Sequence, residues 1–303
     1  MSLRFTLAFA ACLTLASCGG NPFVAPANPG PGTGPGTGTG TGSTIPDALK
    51  GNLQSATYNK AANTLSVAII PLGGSTTTPA TEIVFDRFAV ADTNGFQAFR
   101  YQETTSTRFL IALFDTSRSG AATAGVSGSG QFTTALWGTT YSANEAFTKP
   151  ANGGLATYAG RYAGVLNAGP DANPAGTGPG DPFEPAELLR TDGEVMINAD
   201  FTNNSVEGGI RNRRIINGMT SSPLDDVFLR ITAVNPDGSF GGTVVFEDRS
   251  TAGTYGGVFA GAGANAVAGA IEIAPDPSNS DLLERGVFVA DVCPLTPAPQ
   301  ICP

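Results

Sequence analysis

The sequence predicts an all-β protein: a C-terminal eight-stranded antiparallel β-barrel preceded by an irregular β-rich N-terminal lobe. Three observations carry this expectation. Forty glycines and 22 prolines among 303 residues, with only 14% charged, favour many turns and little helix. From about residue 153 to 291, apolar and polar residues alternate with a period of two, which marks strands with one buried and one wet face. The joints between these runs are short and rich in Gly, Pro, Asn and Asp, as hairpins require.

The chain opens on a different kind of segment. Met1 to Arg4 is a short basic stretch and Phe5 to Ala16 is apolar. A helix needs about 20 apolar residues to cross a bilayer, so this run has signal-peptide length instead. Residues 1–17 are expected to be a signal peptide. The following Leu15-Ala16-Ser17-Cys18-Gly19 resembles the lipobox of bacterial lipoproteins. That resemblance implies cleavage before Cys18 and lipidation of its thiol. Gly19, rather than Asp, implies sorting to the outer membrane.

Residues 18–44 continue as a Gly/Pro/Thr-rich tether that cannot bury a core. As a flexible coil it would span about 25–30 Å. Residues 45–150 form the β-rich N-terminal lobe. Strands are expected over Leu53–Asn59, Thr64–Pro71, Thr81–Phe88, Gln97–Gln102, Thr107–Asp115 and Gln131–Gly138, separated by turn-rich joints.

Residues 151–291 give the eight barrel strands. The first is Ala156–Val165. Val195, Ile197, Ala199 and Phe201 then share one face against Glu194, Asn198 and Asp200. Asn203-Asn204 turns the chain into Val206–Ile210. Val227, Leu229, Ile231 and Ala233 share the next face, and Asn235-Pro-Asp-Gly238 turns the chain again. Gly242–Glu247, Thr254–Gly261, Ala266–Ile273 and Gly286–Asp291 complete the set. Eight such strands suffice for a small closed barrel, and alanine and glycine at 199, 208, 233 and 269 favour a packed interior. One minor helix is expected at Glu184–Arg190. Residues 292–303 are a tail in which Cys293 and Cys302 are expected to pair, since an exported chain meets an oxidising compartment. Closing so short a loop stabilises by about 2.5 kcal/mol in the chain-entropy model.

The chemistry is sparse. Net charge is −9, and nucleic-acid binding draws its affinity from clustered Lys and Arg, so no nucleic-acid partner is expected. The chain has no histidine, which removes Ser-His-Asp and Cys-His arrangements and the common zinc sites. Gly261-Ala-Gly263-Ala-Asn-Ala266 reads as G-x-G-x-x-A, but a dinucleotide turn must open a helix within a βαβ unit. Here Val267, Gly269, Ile271 and Ile273 continue at period two, so a glycine-rich hairpin is expected and no cofactor. Asp225-Asp226 and Glu247-Asp248 are adjacent acids of the solvated kind. Asp171 and Asp181 lack the calcium-loop pattern, and no metal is expected. Arg211, Arg213 and Arg214 are the basic cluster and the weak ligand-binding candidates, with 211 and 213 expected on one strand face, either gripping an anion or acidic partner or serving solubility. No catalytic residues and no enzymatic activity are expected.

The C-terminal half resembles the lipid-anchored barrel domain of the transferrin-binding protein B family, whose relatives include factor-H-binding lipoproteins. Tyr158-Ala-Gly160-Arg-Tyr162-Ala-Gly164 matches the aromatic opening strand of that family. Ala199-Asp200-Phe201 with Gly209-Ile210, then Phe240-Gly241-Gly242, follow in order. Gly257 to Gly269 matches the last motif, departing from it at Ala260, Ala262 and Asn265. The resemblance covers about residues 153–291 and implies a barrel carried on a lipid anchor. It implies no particular partner, because loops carry specificity. The expectation is a lipid-anchored outer-membrane binding protein that meets the membrane through its anchor and captures a protein or small ligand. The alternatives are a structural envelope lipoprotein or a carrier barrel with an enclosed ligand.

Overall fold

The computed structural model describes residues 45–74, 78–104, 109–129, 136–167, 188–217, 220–273, 283–294 and 302. All of them fall in one compact unit, Gly36–Pro303. After a one-turn helix α1 (Asp47–Lys50) come β1 (Leu53–Asn59), β2 (Thr64–Ile69), β3 (Thr81–Arg87), β4 (Gln97–Tyr101), β5 (Leu110–Thr116), β6 (Ala122–Ser129) and β7 (Leu136–Ala143). These seven meander antiparallel in chain order. The Asn52 N–H donates to Trp137 O at 2.9 Å, so the first and last strands nearly meet. The sheet curls around Leu65, Val67, Phe85, Phe99 and Phe114 as a second, nearly closed barrel.

The C-terminal half is the closed one. Its strands are β8 (Leu155–Asn167), β9 (Leu188–Asp200), β10 (Ser205–Asn217), β11 (Thr220–Pro223), β12 (Val227–Ala233), β13 (Ser239–Val245), β14 (Thr251–Ala260), β15 (Ala266–Ile273) and β16 (Leu283–Val292). Eight of them form the ring, and β16 pairs back onto β8 from Leu283↔Asn167 to Val292↔Tyr158. β11 is a short side strand on the extension of β10. The expected all-β class with an eight-stranded barrel is therefore what the chain adopts.

Period two places Val195, Ile197, Tyr158, Tyr162, Val267, Ile271 and Phe288 inside the barrel. Phe259 lies at the centre of an aromatic stack, 5.3 Å from Tyr158, 5.2 Å from Phe201 and 5.1 Å from Phe240, centroid to centroid. Phe147, from the segment after β7, packs on Phe201 and Phe259 and plugs this end. Each such ring contributes about 1.5–3 kcal/mol by leaving water. On the other face of β15, Ala266, Ala268 and Ala270 point outward but are also buried. They meet Ala122, Ala124 and Val126 of β6 in a third core that joins the two lobes. Polar ties cross the same junction: Arg161 of β8 pairs with Asp115 of β5 at 2.5 Å. Asp291 of β16 accepts from the Arg118 and Ser119 N–H groups at 2.8 and 3.0 Å.

Several elements differ from the sequence expectation. Leu188–Arg190 opens β9 instead of ending a helix, and Thr191 and Leu189 are buried there; residues 184–187 lie outside the described ones. The strand expected at Gln131–Gly138 is β7, shifted to Leu136–Ala143, and β6 just before it was not anticipated. Ile231 does not share the inward face of Val227 and Leu229: the β10–β12 register slips between Val206 and Gly208, and Ile231 is 67% exposed. Ala233 is exposed as well. The G-x-G-x-x-A stretch is the β14–β15 hairpin turn, with Gly261, Gly263 and Ala264 at φ 77°, 67° and 56°. β15 starts at Ala266, directly after it.

Candidate functional site: a cleft at the β10 bulge

Arg211 pairs with Glu194 and Arg214 with Asp192 across β10 and β9, so Asn212 and Arg213 together stand opposite Gly193. That is a β-bulge, and it re-aims side chains. Asn212 takes φ 53°, a left-handed conformation that asparagine tolerates better than most residues. Arg213 is thereby turned into the barrel while Arg211 and Arg214 stay outside. The expectation that Arg211 and Arg213 share a face fails because the bulge breaks the period of two between them.

Inside, Arg213 is 3% exposed. Its Nη2 meets Glu284 Oε2 of β16 at 2.5 Å, and its Nη1 donates to the Asp225 carbonyl. Glu284 Oε1 accepts from Tyr162 Oη at 2.6 Å and from Thr191 Oγ1 at 2.7 Å. Burial, reinforced by the Glu284 charge, holds the Tyr162 hydroxyl well above its usual titration range. For Arg213, burial is the largest influence and opposes the charge, but Glu284, Tyr162 and Asp226 together outweigh it and raise the guanidinium pKa. The Arg213 Nε–H has no acceptor among the described residues.

Outside, Arg214 grips Asp192 with two hydrogen bonds, Nε to Oδ1 at 3.0 Å and Nη2 to Oδ2 at 2.7 Å. These bonds raise the Arg214 pKa. Asn212 organises the two remaining acids. Its N–H donates to Asp226 Oδ1 at 2.9 Å and its Nδ2 to Glu194 Oε2 at 2.8 Å. The N-terminal lobe adds one residue to the lining, Asn94. Asn94 donates through Nδ2 to Tyr162 O at 3.1 Å and Gly193 O at 2.7 Å, and Arg190 Nη1 donates to Ala91 O at 2.7 Å. Between them lies a cleft of about 570 Å³ lined by Asn94, Glu194, Asn212, Arg213, Arg214 and Asp226, among others. Its charge balance is the reverse of what the arginine cluster implied. Arg213 faces Glu284 and Arg214 faces Asp192, which leaves Glu194 and Asp226 as the acids outside any salt bridge among the described residues.

The other sequence candidates are dispersed. Asp248 Oδ1 accepts from Ser250 N–H and Oγ at 2.8 and 2.6 Å, closing the turn after β13. Cys293 and Cys302 form a disulfide with Cα atoms 5.9 Å apart. Cys18, Asp171 and Asp181 lie outside the described residues. Glu284, Thr191 and Asn212 are not among the sequence candidates, and Tyr162 enters there only as part of the aromatic opening strand. Glu284 carried a usable signal, since it falls on the inward series of β16, whose other members, Gly286, Phe288 and Ala290, are apolar or small.

No family model matches the chain, and no curated protein matches it. Solved structures do. Transferrin Binding Protein B of Haemophilus parasuis, a vaccine antigen studied as a double mutant, is 11% identical, with 78% of this chain and 52% of that chain covered and a TM-score of 0.42. The isotype 1 protein of that name from serogroup B Neisseria meningitidis is 14% identical over 78% of this chain and 52% of its own, with a TM-score of 0.35. A surface lipoprotein is 12% identical over 80% of this chain and 97% of its own, with a TM-score of 0.38. This chain spans about half the length of the two transferrin-binding structures. No residue role is carried over from any of them.

Proposed function

We propose that this protein is a lipid-anchored outer-membrane binding protein that displays its two β-lobes outside the membrane to capture a ligand. The observation that carries the reading is Leu15-Ala16-Ser17-Cys18-Gly19 set ahead of a Gly/Pro/Thr-rich stretch and a two-lobed β fold. The lipobox supplies an anchor, the stretch supplies reach, and the lobes supply surface. The cleft at the β10 bulge is the candidate capture site because both lobes contribute to its walls. The barrel axis is filled by Tyr158, Phe201, Phe240 and Phe259, which favours capture on the outside over carriage within. Transferrin itself is not proposed as the partner.

The anchor is tested by Cys18→Ser in the native host with metabolic lipid labelling. The variant should lose the label and leave the membrane fraction, and unchanged labelling refutes lipidation at Cys18. Protease treatment of intact cells tests display: the wild-type chain should be digested, and full protection overturns surface exposure.

A further inference from the structure

One end of the C-terminal barrel is stoppered by the connection between the lobes, residues 144–154, which runs from β7 to β8. Within it Glu145, Ala146, Thr148 and Lys149 are exposed, and Phe147 alone among them turns in. Its ring lies 6.3 Å from Phe201 and 6.4 Å from Phe259. The rings beneath it, Tyr158, Phe201 and Phe240, stand closer to Phe259, at 5.3, 5.2 and 5.1 Å. Gly238, at φ 83° in the β12–β13 turn, makes the seat: a Cβ there would come within 2.7 Å of the Phe147 ring. The main chain beside that ring is lightly held. Gly261 donates to Glu145 O and accepts from the Thr148 N–H, both at 3.2 Å, the long limit for such bonds. Gly263 N–H donates to Thr148 Oγ1 at 2.9 Å, and Lys149 Nζ reaches Asn204 Oδ1 at 2.7 Å on the exposed surface.

A ring that enters this seat gains what Phe147 loses by leaving it, because the area buried and the tilted ring contacts are the same in kind. The exchange is close to neutral, so the concentration of the incoming ring decides it. An aliphatic group would bury area but forfeit the ring contacts with Phe201 and Phe259. We propose that this barrel end is a binding site for an aromatic ring, which the chain's own Phe147 occupies until a ligand's ring displaces it. Tyr158, Phe201, Phe240 and Phe259 stay in place below, so the ligand docks at the mouth and is not carried within. The site shares no lining residue with the cleft at the β10 bulge and does not depend on the anchor.

The probe is N-acetyl-phenylalanine amide titrated into the full chain, read by the nuclear Overhauser contact between the Phe147 ring and the Gly238 α protons. That contact should fade saturably and give way to one from the probe's ring, while N-acetyl-leucine amide should leave it intact. In Phe147→Ala the probe should bind about tenfold or more tightly than in the wild type, because no ring has to leave first. A Phe147–Gly238 contact that persists at the highest probe concentration, equal displacement by the leucine amide, or wild-type affinity in the folded variant overturns the proposal. Should Phe147→Ala unfold, the wild-type titration decides alone. Two further probes separate the sources of the ring. Displacement by toluene as readily as by the amide assigns a small aromatic ligand. Displacement by a capped Gly-Phe-Gly peptide but not by toluene assigns an aromatic side chain of a protein partner, and displacement by neither overturns the site. None of these outcomes moves the lipid labelling or the protease sensitivity that test the anchored-receptor reading, so each can fail without the other.

Discussion

Asp115 sits where β5 meets β8, with Arg161 at 2.5 Å and Asp291 close enough to repel it. Burial is the largest influence on its carboxyl. Together with Asp291 it outweighs the Arg161 attraction and the Thr116 N–H bond, and raises the pKa to about 6. The sign of the linkage follows. A carboxyl with a raised folded pKa binds its proton more readily when folded, so its stabilising contribution is full below about pH 4 and is lost as pH rises through 6. Relative to Asp115→Asn, the wild-type chain should lose about 2–3 kcal/mol of stability between pH 4 and pH 7. Urea unfolding of both chains across that range measures it, and a pH-independent difference would sink the assignment. None of this was legible in the sequence, where Asp115 is one more acid at a strand end. Its character comes from burial at the junction with β8, which prevails over the attraction of a partner 46 residues away.

Elements were easier to read where their two faces differed. β8, β9 and the β14–β15 hairpin announced themselves by alternation or by turn glycines. β6 did not, because its sequence, ATAGVSGS, lacks the branched and aromatic residues that mark strands. Its small side chains are required by burial on both faces: Ala122, Ala124 and Val126 meet the barrel, while Ser127 turns the other way and donates to Ile111 O at 3.0 Å. β10 was half legible. Its apolar start was plain, but the bulge at Asn212 depends on cross-strand pairing that periodicity cannot register. The bulge is fastened to β16 by Arg213 and Glu284, and removing one partner of a buried pair costs about 3–5 kcal/mol. Glu284→Gln should therefore destabilise the chain by that order in chemical denaturation. Arg213→Met/Glu284→Leu together should recover most of the loss, because no charge is then left buried alone. A double variant as unstable as the single one would show that the pair does more than compensate charge.

For the whole molecule, the sequence conveyed the all-β class and the eight strands of the ring, but not the relation between its halves. Alanines at 266, 268 and 270 read as the small residues of a tight barrel, whereas they form the wall against which the other lobe packs. That shared core packs the two sheets together in one compact unit, so they are expected to unfold as one, and an intrusion there should divide them. Ala268→Arg, which buries an unpaired charge at the junction, is expected to split one calorimetric transition into two. A single transition, shifted but undivided, would show that the lobes do not depend on this contact for their cooperativity.

The helix α1 gives the junction a mechanical side. Leu49 is 1% exposed, its carbonyl accepts from Thr139 Oγ1 of β7 at 2.7 Å, and Pro46 and Leu49 rest over Gly256 of β14. A pull arriving from residue 45, as from a tether held at a membrane, is delivered to both lobes at their seam. It arrives where β1 and β7, the two edge strands of the N-terminal sheet, come together against the barrel. The chain is gripped at its waist, so tension arriving there is shared by both sheets before it can open one.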